Sequence, residues 1–133
     1  MKKIDCNIPP KNHDLPRQWH DPLSLVGLLS MEDIDIVDFR STKNRIPVNS
    51  NVLDFILEYP EHIPTYWDIS EGIVFTGTSH YDEENGELTY RGLGYKQGEK
   101  KNGICWFTVH KVKFSRDLAF SHNTRYKFAV LKK

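Results

Sequence analysis

The residues best equipped for chemistry lie in the C-terminal half of the chain: His80, Tyr81, Tyr90, Arg91, Tyr95, Trp106, His110, Lys111, Lys113, Arg125, Tyr126 and Lys127. From residue 88 onward, eleven basic side chains oppose only Glu99 and Asp117. Aromatic rings beside cations on a sheet face stack bases and pair phosphates, stacking alone contributing about 1–3 kcal/mol per base. A histidine near Arg, Lys and Tyr is also the equipment for metal-independent RNA cleavage by general acid–base action. The binding set read from these residues is Tyr90, Arg91, Trp106, His110, Lys111, Lys113 and Arg125. If the chain is a ribonuclease, its catalytic candidates are His110, Arg91 and Tyr90. The same residues have an ordinary explanation, because Tyr, Trp and Thr favour strands and lysines on a wet face or edge prevent aggregation.

Other chemistries find less support. The six histidines, at 13, 20, 62, 80, 110 and 122, form no HExxH pattern and no i, i+4 pair on a helix, and no CxxC is present. His13 and His20 flank Asp14 and Asp21 in a proline-rich stretch, where they read as solvated residues, so no metal site is expected. The G-x-S-x-G elbow is missing, and Cys105 within an apolar strand reads as packing. Gly92-Leu93-Gly94 lacks the third glycine of a dinucleotide fingerprint and marks a twist or a close approach. Asp82-Glu83-Glu84 reads as the soluble tip of a hairpin. No cofactor is expected.

A chain of 133 residues buries one core. Seven Phe, six Tyr and three Trp argue for a folded rather than a disordered chain. Eighteen basic residues balance eighteen acidic ones, so no global field steers the protein to nucleic acid or an anionic membrane. The balance is uneven along the chain: residues 1–70 hold seven basic and eleven acidic side chains, residues 71–133 eleven and seven. Cys6 and Cys105 suggest neither a disulfide framework nor a metal site. With no signal-peptide run after Lys2-Lys3 and no stretch of membrane-spanning length, the expected location is the cytoplasm.

The elements that must position these residues follow from local pattern. Pro9, Pro10, Pro16 and Pro22 make residues 1–22 an extended leader, and residues 23–133 a single domain. Asp21-Pro22 opens an apolar run from Leu23 to Leu29 that predicts a short buried helix. Residues 34–39 read as a short strand and 40–50 as a loop. Val52, Leu53, Phe55, Ile56 and Leu57 then give a helix its apolar face, with Asp54 and Glu58 on the wet side and Pro60 as the stop. Residues 72–79 and 87–96 flank Asn85-Gly86, a hairpin signal. A lysine-rich turn at 97–103 leads to a strand over 104–114, whose broken alternation near His110-Lys111 predicts a β-bulge. Residues 115–125 connect it to a last strand, Tyr126 to Leu131. The fold class is α+β: a C-terminal antiparallel meander of four to five strands packed against one or two short helices, after the proline-rich leader.

Asn51-Val52-Leu53-Asp54, Ile63-Pro64 with Trp67, Phe75 followed by Gly77-Thr78, and the Tyr90-Arg91 strand together resemble an uncharacterised group of small bacterial proteins. The resemblance spans roughly residues 48–95 and departs at Thr76, where the group has an aromatic residue. It implies a bacterial origin and a helix-then-sheet body, and it carries over no functional residue.

The expected function is that of a small intracellular, non-enzymatic binding or accessory protein of inhibitor, immunity or mobile-element type, with another protein as partner. The alternative is an RNA-binding protein or metal-independent ribonuclease that uses the basic, aromatic sheet face. A small ligand between sheet and helices is a third possibility, since such pockets need no motif.

Overall fold

The computed structural model describes residues 3–84, 86–95, 103–110 and 126–133, the side chain of His110 excepted. In chain order the elements are β1 (Ile4–Asp5), β2 (Arg17–His20), β3 (Leu28–Leu29), β4 (Ile34–Val37), α1 (Ser50–Glu58), β5 (Ile73–Asp82), β6 (Glu87–Tyr95), β7 (Ile104–His110) and β8 (Lys127–Leu131). Among the described residues the architecture is mixed: one α-helix on a mostly antiparallel sheet.

The helix forms where its sequence pattern places it. The Asn49 side chain accepts the N–H of Asn51 at the helix start, a cap that contributes about 1 kcal/mol. Val52, Leu53 and Ile56 are fully buried, the i, i+1, i+4 spacing of one helix face. The hairpin also matches its signal, with β5 and β6 pairing from Ile73↔Leu93 to Asp82↔Glu87. Gly86 takes a φ of 65° at the tip, a conformation glycine adopts without a Cβ clash. β7 pairs antiparallel with β6 from Thr89↔His110 to Tyr95↔Ile104. Residues 111–114 of the expected long strand, including Lys111 of the His110-Lys111 pair near which its bulge is expected, nearly all of the 97–103 turn and the 115–125 connector lie outside the described residues.

Two expectations are corrected. β8 does not extend the meander beyond β7 but lies between β4 and β5, antiparallel to the first and parallel to the second. Among the described residues the sheet thus has six strands, more than the four to five expected, because β4 and β2 both join it. Nothing in a strand's own alternation says which edge it will pair with. The second correction concerns residues 22–29. Asp21 does cap, accepting the N–H of Leu23, but only Pro22–Ser24 turn, in 3-10 form. Gly27 then takes a φ of 98°, and Leu23, Leu25, Val26 and Leu28 stay exposed. Residues 1–22, expected as an extended leader, are extended where they form strands and lie on the body of the domain: β1 pairs with β3, and β2 pairs with the outer half of β5.

β5 holds two partners along one edge, β8 at residues 73–74 and β2 at residues 78–81. Gly77 sits between them, with the register against β6 shifting between Phe75 and Ser79. Its N–H donates to the Val48 carbonyl, and its own carbonyl accepts from the Asp21 N–H and the Ser24 hydroxyl. The chain approaching α1 therefore crosses directly over this glycine. A Cβ there would meet the Ser24 Cβ at 2.7 Å and the Asn49 nitrogen at 2.8 Å.

Both sheet faces are apolar. Ile73, Phe75, Leu93 and Ala129 face α1 together with Val52, Leu53 and Ile56, and Trp106 packs against this cluster. On the other face Val74, Val109 and Phe128 pack with Tyr90, Phe107 and Tyr126. There the Phe107 ring lies so close over Gly92 that a Cβ would meet it at 2.6 Å, which is the close approach that Gly92-Leu93-Gly94 foreshadows.

Gly77→Ala forces backbone as well as side-chain atoms apart, and a stability loss of about 1–3 kcal/mol is expected. A lowered urea midpoint would show it; an unchanged midpoint would contradict this crossing.

Candidate functional site

Pairing register places one polar row across the sheet: Gln18 of β2 opposite His80, and His80 opposite Thr89. Arg91 stands two residues along from Thr89, on the same face of β6 because side chains alternate. This row continues the helix-facing side of the sheet beyond the apolar cluster, so charged and polar groups occur there at core depth. Arg91 and His80 are 0% and 1% exposed.

A guanidinium does not lose its proton in a protein, so its burial needs a counter-charge. Asp54 supplies it from α1: Arg91 Nη2 donates to Asp54 Oδ1 at 3.0 Å. The carboxylate expected on the wet side of the helix is therefore turned inward, its side chain 22% exposed. The Arg91 guanidinium also lies 4.5 Å from the centre of the Trp106 ring, a cation–π contact that supports a charge lacking a full set of hydrogen bonds. Arg91 Nε and Nη1, Asp54 Oδ2 and His80 Nε2 are buried without a partner among the described residues.

The leader closes this set. His13 Nε2 lies 2.9 Å from Asp54 Oδ1, and its ring tilts against Trp106 with centroids 5.6 Å apart. His13 and the following Asp14 both have positive φ, 53° and 59°, a conformation that costs a non-glycine residue about 1–2 kcal/mol. Such strain persists only where the surroundings enforce it. Further on, His80 Nδ1 lies 3.4 Å from the Pro16 carbonyl, and the Gln18 amide donates to the Pro10 carbonyl. The Asn51 side chain reaches from α1 to the carbonyls of Asp5 and Ile8. Between leader and helix runs a groove of about 550 Å³ whose lining includes Lys3, Lys11, His13, Asn51, Asp54 and Phe55.

Burial pushes the His80 imidazole below its ordinary pKa, outweighing the Pro16 carbonyl that favours its charged form, and the charges of Arg91, His20 and His13 add to the depression. Burial also lowers that of His20. The Tyr90 phenol is raised, by burial and then by Asp21. The Cys6 thiol is pushed up to about 11 by burial and by Asp5, which makes it an inert packing group.

The residues expected to form a site are thus only partly brought together. Arg91 and Trp106 are in contact. Tyr90 points to the other face of β6, into the cluster with Val74, Val109 and Phe128, so Tyr90 and Arg91 do not share one site. β7 places His110 opposite Thr89, while Lys111, Lys113 and Arg125 lie outside the described residues. Sequence reasoning missed His13 and Asp54. The left-handed pair His13-Asp14 carries no glycine or asparagine to signal its turn, and Asp54 differs from a surface residue only through its distant partner Arg91. Among the described residues, no group of three or more His, Cys, Asp or Glu is placed to hold a metal ion. No described helix is long and apolar enough to cross a membrane.

Comparison with protein-family models, with curated proteins and with solved structures finds no match to this chain. The functional reading rests on the residues and their geometry.

The lowered pKa values set an acid sensitivity. A histidine whose folded pKa is depressed binds its proton more readily when unfolded, so its contribution is complete above the ordinary value of about 6.5 and falls away below it. Stability is expected to drop between pH 7 and pH 5, and to drop less in His80→Gln; equal pH profiles for the two proteins would contradict the burial of a neutral His80. The depressed carboxyls of Asp33 and Asp38 act in a separate window, below the ordinary carboxylate range.

Proposed function

We propose that the protein is a small non-enzymatic binding module, of inhibitor, immunity or mobile-element accessory type, that docks on another protein through its N-terminal segment. The observation that carries this reading is the exposure of Trp19, Leu23, Leu25, Val26 and Leu28 within ten consecutive residues, Leu23 and Leu28 at 62% each. Single exposed apolar side chains are ordinary on soluble proteins. A run of them, in a stretch whose sequence pattern suits a buried helix, is the signature of an interaction surface.

The chemistry of the segment supports the same reading. Trp19 carries the Arg17 guanidinium 4.3 Å from its ring centre, and Trp and Arg are the side chains most enriched among interface anchors. Apolar burial provides the affinity, and the acidic N-terminal half of the chain against its basic C-terminal half provides orientation. The free thiols of Cys6 and Cys105 suit a reducing cytoplasm. An RNA-directed role on the sheet has less support, because Arg91, its central cation, lies on the helix-facing side and is buried against Asp54.

A comparison of wild type with Leu23→Glu/Leu28→Glu as bait in lysate from the native source tests this. Both positions are solvated, so the variant should match wild type in stability to within about 0.5 kcal/mol. The expected outcome is a protein partner retained by wild type after nuclease treatment and lost with the variant. Retention that disappears with nuclease, or that is the same for both baits, would contradict the reading.

A further inference from the structure

The His13 ring, which lines the groove together with Asp54, stands between that carboxylate and the Trp106 indole. It tilts by 54° against Trp106, and its Nε2 is within hydrogen-bond distance of Asp54. These are the two contacts by which proteins read an unstacked nucleobase: a flat partner for the ring and a hydrogen-bonding group for its edge. We propose that the space the His13 ring fills, between Trp106 and Asp54 beside the groove lined by the leader and α1, is a guanine-binding site in which His13 is an internal occupant that the base displaces.

The carboxylate selects the base. The Watson–Crick edge of guanine presents two neighbouring N–H donors, the ring N1–H and the exocyclic amine, and a carboxylate offers the matching pair of acceptors. Asp54 Oδ1 is used by His13 and Arg91, while Oδ2 has no partner among the described residues. Adenine and cytosine each set one donor beside an acceptor, and uracil sets one between two. Each of these would turn a lone pair toward one carboxylate oxygen.

Arg91 completes the reading group. It is fully buried, grips Asp54 from the sheet side and covers Trp106, so the acceptor pair is held oriented before any ligand arrives. The groove's volume of about 550 Å³ falls within the roughly 300–1,000 Å³ usual for small-molecule sites. Lys3 and Lys11 line it, but so do Asp5 and Glu58, so the base rather than the phosphate dominates recognition and salt dependence is shallow. His13 is a displaceable occupant because its own backbone, and that of Asp14, is left-handed and relaxes when the ring leaves.

This site is separate from the apolar N-terminal surface, so the failure of either proposal leaves the other standing. Calorimetric titration of wild type and His13→Ala with GMP, IMP and AMP tests it, IMP lacking only the exocyclic amine. The side chain of His13 is 29% exposed, and His13→Ala leaves the Asp54–Arg91 pair intact, so the variant is expected to fold. It should bind GMP at least about tenfold more tightly than wild type does, prefer GMP to IMP by about tenfold, and bind AMP weakest. The same titrations with short single-stranded oligoribonucleotides carrying one central G, I or A distinguish the source. A guanine preference confined to the oligonucleotides assigns the base to an RNA strand, and one confined to the mononucleotides assigns it to a free nucleotide. Equal affinity for the three bases, no binding of any of them, or equal GMP affinity in wild type and His13→Ala would overturn the proposal.

Discussion

A fully buried guanidinium is the constraint around which this molecule is arranged. Arg91 keeps its charge at any working pH, and an unpaired charge at that depth would cost several kcal/mol. Asp54 must therefore face inward, which sets the rotation of α1 about its axis and brings Val52, Leu53 and Ile56 against the sheet. Trp106 of β7 covers the guanidinium, and His13 brings the leader onto the same carboxylate. Strand, helix, neighbouring strand and leader thus meet at one ion pair.

The leader gains its place in the fold from that meeting. Its strands are short, and β1 pairs through only two residues. What ties it down is side-chain chemistry with α1 and β5: the Asn49 amide to the Cys6 carbonyl, the Asn51 amide to Asp5 and Ile8, and the Pro16 carbonyl to His80. Ile4 and Cys6 are buried in the core cluster and these polar contacts hold the rest of its inner side, while Ile8 and Trp19 face solvent. One segment thereby carries both an apolar outer surface and the occupant of a polar groove.

How much of this could be read from the sequence follows from how local each signal is. The apolar face of α1 and the Gly86 turn are encoded within a few residues, and they are found where the pattern puts them. The place of β8 beside β5 is a matter of strand order, which alternation does not encode. The run from Leu23 to Leu28 has helical composition, but it is interrupted by Gly27 and finds no surface of the domain to pack on. Asp54 and His13 became site residues through partners 37 and 41 positions away. Only the fold brings such pairs together.

The most direct measurement of this arrangement is a double-mutant cycle on the stability of Asp54→Asn, Arg91→Met and the pair, by urea denaturation. If the ion pair organises the fold, each single change removes a partner and is strongly destabilising, the double change is far milder than their sum, and the coupling is about 2 kcal/mol or more. Two effects that simply add would mean that Arg91 and Asp54 are held in place by the packing around them, and that their pairing organises nothing.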